Sequence, residues 1–133
     1  MKSIIIVPNF CVETIEFGCD RKITRSIFGN DYKEIKKNIY STNTIDAYSN
    51  YHLFFSADNS FIAIELFGDI QIIVNEKVVY PGNVEEIKKM FPEMQYDGYG
   101  WIDRSNSLAV TVSQDDENYI ESILFGKKNY FVD

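Results

Sequence analysis

Residues 56–68 read SADNSFIAIELFG and residues 113–126 read SQDDENYIESILFG. Each stretch opens on a cluster of Ser, Asp and Asn, whose short side chains bond to nearby backbone and so favour turns. Each then passes into β-branched, aromatic and aliphatic residues that suit a pleated, half-buried surface, and ends on Leu-Phe-Gly. Alignment on those endings gives the second copy one extra residue in its turn. Upstream of the two stretches, TRSIFG at 24–29 parallels IKKMFP at 87–92. The chain therefore reads as a single domain over 1–133 with an internal repeat, about 20–68 and 83–126. Chance likeness between two amphipathic hairpins is the competing explanation; recurrence of a helix and both strands in the same order favours duplication. The expected fold is α+β: an antiparallel β-sheet built from two similar helix-plus-meander units, with two short helices packed on one face.

The helices are short. The first is predicted over 20–28, with Asp20 as cap, Ile23 and Ile27 sharing an apolar face at i, i+4, and Gly29 as the stop. The second is predicted from Asn83, with Glu86 three residues on as in a capping box. Val84, Ile87, Met90 and Phe91 form its apolar face, and Pro92 ends it. Strands are expected over 51–56, 61–67, 70–74, 108–112 and 119–125, separated by turns at 57–60, 75–76, 81–82 and 114–118.

Composition narrows the function. The 133 residues carry 13 Lys+Arg against 20 Asp+Glu, a net charge of −7, which argues against general nucleic-acid binding because phosphate neutralisation needs a positive surface. The charge is uneven: residues 1–68 hold 7 basic against 8 acidic residues, a net −1, and residues 69–133 hold 6 against 12, a net −6. Cys11 and Cys19 are too few for a disulfide framework and read as thiols in a reducing compartment. Ile4 to Val7 is too short an apolar run for a signal peptide and reads as a strand that starts the fold, and no later segment suits a membrane span. The expected location is cytoplasmic.

No motif fixes a chemistry. His52 is the only histidine, and the cysteines stand eight residues apart, so neither a His-rich nor a zinc-finger-like metal site is expected. Asp115-Asp116-Glu117 lacks the alternating ligands and glycine of a calcium loop. Neither a metal nor a cofactor is expected. Cys19 precedes the first helix, where amide dipoles favour a thiolate, but it has no evident catalytic partner and reads as a packed thiol. Glu65 and Glu121, each among aromatic and aliphatic residues on alternation, are the candidate acid/base pair of a small enzyme. Arg21, Lys22 and Arg25 on the first helix read as a solvated face or, in a rival reading, as a phosphate or nucleic-acid patch. The segment Tyr96-Asp97-Gly98-Tyr99-Gly100-Trp101 joins the only tryptophan to two tyrosines, the residue types that anchor interfaces.

The pattern Ile15-Glu16-Phe17-Gly18, a helix ending at Gly29, a strand ending Ile64-Glu65-Leu66, and Ile123-Leu124-Phe125-Gly126 followed by Tyr130-Phe131 resembles small bacterial immunity-type proteins of toxin systems. The duplicated helix-plus-meander plan is similar to the β-lactamase inhibitor protein. The resemblance transfers no functional residue. It implies a non-catalytic protein that binds another protein. The resulting expectation is a partner-binding surface of Tyr96, Asp97, Tyr99, Trp101, Asp103, Asp115, Asp116 and Glu117, facing a basic protein, with homodimer formation through exposed edge strands as a further option.

Overall fold

The computed structural model describes residues 2–131. In chain order its elements are β1 (Lys2–Val7), β2 (Cys11–Val12), β3 (Ile15–Glu16), α1 (Arg21–Phe28), β4 (Lys33–Ile35), β5 (Ile45–Ala47), β6 (Tyr51–Phe55), β7 (Phe61–Phe67), β8 (Ile70–Val74), β9 (Lys77–Tyr80), α2 (Val84–Met90), β10 (Gln95–Tyr96), β11 (Gly100–Asp103), β12 (Leu108–Val112) and β13 (Ile120–Gly126). The fold is α+β and dominated by antiparallel sheet, as the alternating runs require.

The main sheet has eight strands in the order β10-β11-β12-β13-β7-β6-β5-β4. That order is a palindrome of two meanders. Each helix is followed by four antiparallel strands, and the two meanders join through their last strands, β7 and β13. At the join Glu65 stands opposite Leu124, flanked by the pairs Phe67–Ser122 and Ala63–Gly126. The local hydrogen bonds repeat as well. Asp20 and Asn83 cap the helices and bridge to Ser60 and Tyr119. The first helical N–H groups, of Arg21 and Val84, donate to the Asn59 and Asn118 carbonyls at 2.9 and 3.0 Å. A bulge interrupts each hairpin, leaving Ile62 and Glu121 as the extra residues.

This register corrects the sequence alignment by one residue. The bulges and bridges match Phe61 with Ile120 and Phe67 with Gly126, so the Leu-Phe-Gly endings are offset rather than equivalent. The second turn, from Ser113 to Tyr119, is two residues longer than the first, from Ser56 to Ser60, instead of one.

A second sheet was not expected. Its order is β3-β2-β1-β8-β9, and β1 runs parallel to β8. The main core gathers residues of both sheets: Leu53, Ile64, Leu66, Val110 and Ile123 from the larger, Ile4, Ile6, Ile70 and Ile72 from the smaller. Val84, Ile87 and Phe91 from the α2 region join it, and Phe28 of α1 packs at its margin. The sheet is thus covered by another sheet as well as by helices. A small satellite cluster of Ile45, Phe54 and Ala63 is separate from that core.

Helix α1 contradicts its sequence reading. Ile23 and Ile27 are 48% and 53% exposed, whereas Arg21 and Thr24 are buried. The polar side of this helix faces inward, because β5 places a carboxylate there.

Candidate functional site

In the second unit, β10 and β11 are joined by a tight turn that the sequence dictates locally. One Asp97 carboxylate oxygen accepts the backbone N–H groups of both Tyr99 and Gly100 at 2.9 Å, and Gly98 takes the left-handed φ of 97°. Gly100 has no room for a side chain, since a Cβ would collide with the Val110 carbonyl. The turn therefore projects Tyr99, 81% exposed, beside Tyr96, 50% exposed. Tyr96 and Trp101 lie opposite each other across the β10–β11 ladder, ring centroids 5.4 Å apart. Lys88 of α2 stands over the indole, its Nζ 4.0 Å from the ring centre.

Two hollows meet at this point. The larger, about 670 Å³, is bounded by Tyr96, Tyr99, Thr111, Asp115, Glu117 and Glu121. The smaller, about 380 Å³, is bounded by Val84, Tyr96, Trp101, Glu117 and Asn118. Tyr96 and Glu117 border both. The structure thus brings Tyr96, Tyr99, Trp101, Asp115 and Glu117 into one aromatic and acidic surface. It adds Lys88, Thr111, Asn118 and Glu121, which sequence reading did not place there. The second hairpin was the available signal for Asn118 and Glu121, because they follow Asp115 and Glu117 in the same turn and strand.

Other expected members of the surface do different work. Asp103 is only 2% exposed, with carboxylate oxygens that accept from Ser105 Oγ at 2.8 Å, Asn106 N at 3.1 Å and Asn106 Nδ2 at 2.8 Å. It ties the β11–β12 turn and cannot meet a partner. The Asp-x-Ser-Asn order of residues 103–106 carried that message, since such residues cap turns through their own side chains. Asp97 is exposed but its oxygen is engaged in the turn already described. Asp116 is exposed and accepts the Asn118 N–H at 3.0 Å, shaping the hairpin tip without lining either hollow.

Glu65 and Glu121 sit in different surroundings. Glu121 is the exposed bulge residue at the larger hollow. Glu65 is half-buried at the sheet centre, where it accepts from Ser122 Oγ at 3.1 Å and stands across the ladder from His52. His52 packs edge-on against Phe67 at 5.0 Å. Burial lowers the His52 pKa; the Glu65 charge acts against that shift and Lys37 acts with it. Among the described residues no group of three or more His, Cys, Asp and Glu side chains is arranged to hold a metal ion. Among the described residues no helix is long and apolar enough to cross a membrane.

The first unit buries an ion-pair cluster. Asp46 of β5 is fully buried and accepts from Arg21 Nη2 at 2.7 Å and from Arg25 Nε and Nη2 at 2.9 Å each. Glu34 of β4 receives Arg25 at 2.8 Å and Thr44 Oγ1 at 3.0 Å. Burial alone would raise the Asp46 carboxyl, but the arginine hydrogen bonds outweigh it and hold the pKa below the usual value. The same contacts raise Arg25 and lower Glu34. Arg21 and Arg25 therefore do not form the solvated basic face expected of α1; of the three cations only Lys22 is exposed. Cys19, beside them, has its thiol pushed up by burial and by the neighbouring Asp20 charge, opposite to the direction of a helix-activated thiolate.

No protein-family model, no curated protein and no solved structure matches the chain.

Proposed function

We propose that this chain is a non-catalytic protein-binding module of the immunity or inhibitor kind, acting in the cytoplasm on a basic partner protein. The observation that carries the reading is the juxtaposition of two exposed tyrosines with Asp115, Glu117 and Glu121 around one hollow. Tyrosines bury much area at small entropic cost, and surrounding carboxylates speed encounter with a cationic surface. The uneven charge supports the same face, because the second half carries a net −6 that is not consumed by a buried arginine cluster like that of the first.

The test is a paired binding experiment with the native host's proteins. The partner captured by the wild-type chain is purified and titrated against wild type and against the Tyr99→Ala, Asp115→Asn, Glu117→Gln variant. All three side chains are exposed, so the variant keeps its thermal midpoint. The expected result is affinity reduced at least tenfold, with the salt dependence of the association rate largely lost. Equal affinities and equal salt slopes would remove the proposed surface.

A further inference from the structure

We propose that the smaller hollow, between Val84, Tyr96, Trp101, Glu117 and Asn118, receives an arginine side chain of the partner; this rests on the reading of the second unit as a docking face. The inference comes from the first unit, which already contains the answer in its own chain. Arg21 and Val84 are the equivalent first residues of α1 and α2, fixed by matching N–H bonds to Asn59 and Asn118. From that position Arg21 runs inward over the Phe55 ring, its Cζ 4.3 Å from the ring centre. Its guanidinium reaches Asn59 Oδ1 at 3.2 Å and Thr44 Oγ1 at 3.0 Å before closing on Asp46. An arginine thus fills the space between helix start, hairpin turn and central strands.

In the second unit that space is open. Val84 is too short to cross it. The strand position of Asp46, opposite Leu53, is held by Trp101, opposite Val110, and the position of Glu34, opposite Asp46, is held by Tyr96. The walls are aromatic and apolar, with Glu117 at the border and more acids around the adjoining hollow. Such a site suits guanidinium better than ammonium. A planar, weakly hydrated cation stacks on a ring, lays its stem on apolar surface and keeps a fork of N–H donors for a carboxylate. Lys88 holds the place of Arg25 and stands on Trp101, so an incoming cation needs Glu117 to balance it. Glu117 thereby takes the part that Asp46 plays inside the first unit.

The probe is a set of blocked pentapeptides with central Arg, Lys or citrulline, titrated at low salt against the isotope-labelled chain. The NMR signals followed are the Trp101 indole and the Val84 and Asn118 amides. The expected result is saturable shifts at these positions, with Arg bound about threefold more tightly than Lys and about tenfold more tightly than citrulline. Glu117→Gln weakens the Arg peptide at least fivefold. So does Val84→Arg, which supplies the missing side chain from within; Glu117→Arg, which sets a like charge at the exposed border of the hollow, must do the same should Val84→Arg not fold. Equal binding of Arg and Lys peptides at Tyr99, Asp115 and Glu121 overturns the arginine hollow while leaving the acidic docking face standing. No shift with either cationic peptide overturns both.

Discussion

The two units share backbone and hydrogen bonds but place their charges in opposite ways. In the first, the helix-to-strand contact is ionic: Arg21 and Arg25 against Asp46, with Glu34 outside them. In the second, the same positions hold Val84, Lys88, Trp101 and Tyr96, and the contact is aromatic, with one cation over the indole. The central ladder repeats the contrast, because His52–Glu65 in one unit answers to Ala109–Leu124 in the other. A fold of this kind tolerates either solution, provided that each buried charge has partners. The lesson is a division of labour at this one contact: the first unit pairs two arginines with a buried carboxylate there, whereas the second leaves acids and rings facing a hollow.

The largest expected effect breaks the contrast at its centre. Asp46→Ala strands two guanidiniums, one of them buried, and should destabilise the fold by about 3–5 kcal/mol, a large share of a typical domain's stability. Trp101→Ala at the matching position removes a half-exposed ring and should cost roughly 2 kcal/mol, below the range for fully buried rings. Urea denaturation of the two variants decides between them; an Asp46→Ala loss no larger than that of Trp101→Ala means the ionic cluster is not what secures the first unit. Acid should find the same asymmetry. The Asp46 pKa is lower folded than unfolded, so its contribution is present above the unfolded value and disappears as pH falls through the folded one. The amide signals of α1 and β5 should therefore broaden at a higher pH than those of α2 and β11. In Asp46→Asn that gap should vanish.

A smaller effect tests whether the cations are interchangeable between units. Arg25 grips both Asp46 oxygens through Nε and Nη2, a geometry that an ammonium cannot reproduce. Arg25→Lys should cost about 1–2 kcal/mol, the scale of a lost charge-assisted hydrogen bond. Lys88→Arg only exchanges one cation for another over an aromatic face and should stay within about 0.5 kcal/mol. Equal losses in thermal melts would erase the distinction between forked and stacked contacts.

What could be foreseen from sequence follows the same division. Strands β6, β7, β8, β12 and β13 were legible because hydrophobic runs and turn residues are local signals, and α2 was legible because Asn83 and Glu86 announce its start. Helix α1 misled because its apolar residues, Ile23 and Ile27, obey helical spacing while the inward side is chosen by Asp46, more than twenty residues away. A short strand with a central aspartate, residues 45–47, gives no periodic signal at all. The parallel pairing of β1 with β8 is likewise a tertiary fact, since Ile4 to Val7 would read the same beside any neighbour. In the candidate site the aromatics and the acids of the hairpin were visible. Asp103 was misassigned because a count of charges does not distinguish a carboxylate spent on its own turn from one left for a partner.

A further small effect lies on the pseudo-symmetry axis itself, where Glu65 faces Leu124. Glu65→Leu makes the two units alike at this point. It removes one hydrogen bond, from Ser122, and adds apolar contact with Leu124, so the stability change should stay below about 1 kcal/mol. The electrostatic consequence is more telling than the energetic one. Burial already lowers the His52 pKa and Glu65 works against that shift, so loss of the carboxylate must move His52 further down. With a single histidine in the chain, one imidazole resonance followed through a pH titration reads this directly. A His52 pKa unchanged or raised in Glu65→Leu would mean that the two side chains do not sense each other across the ladder. The polar pair at the centre would then be no part of the first unit's charge pairing, and the contrast between the units would end at the helices.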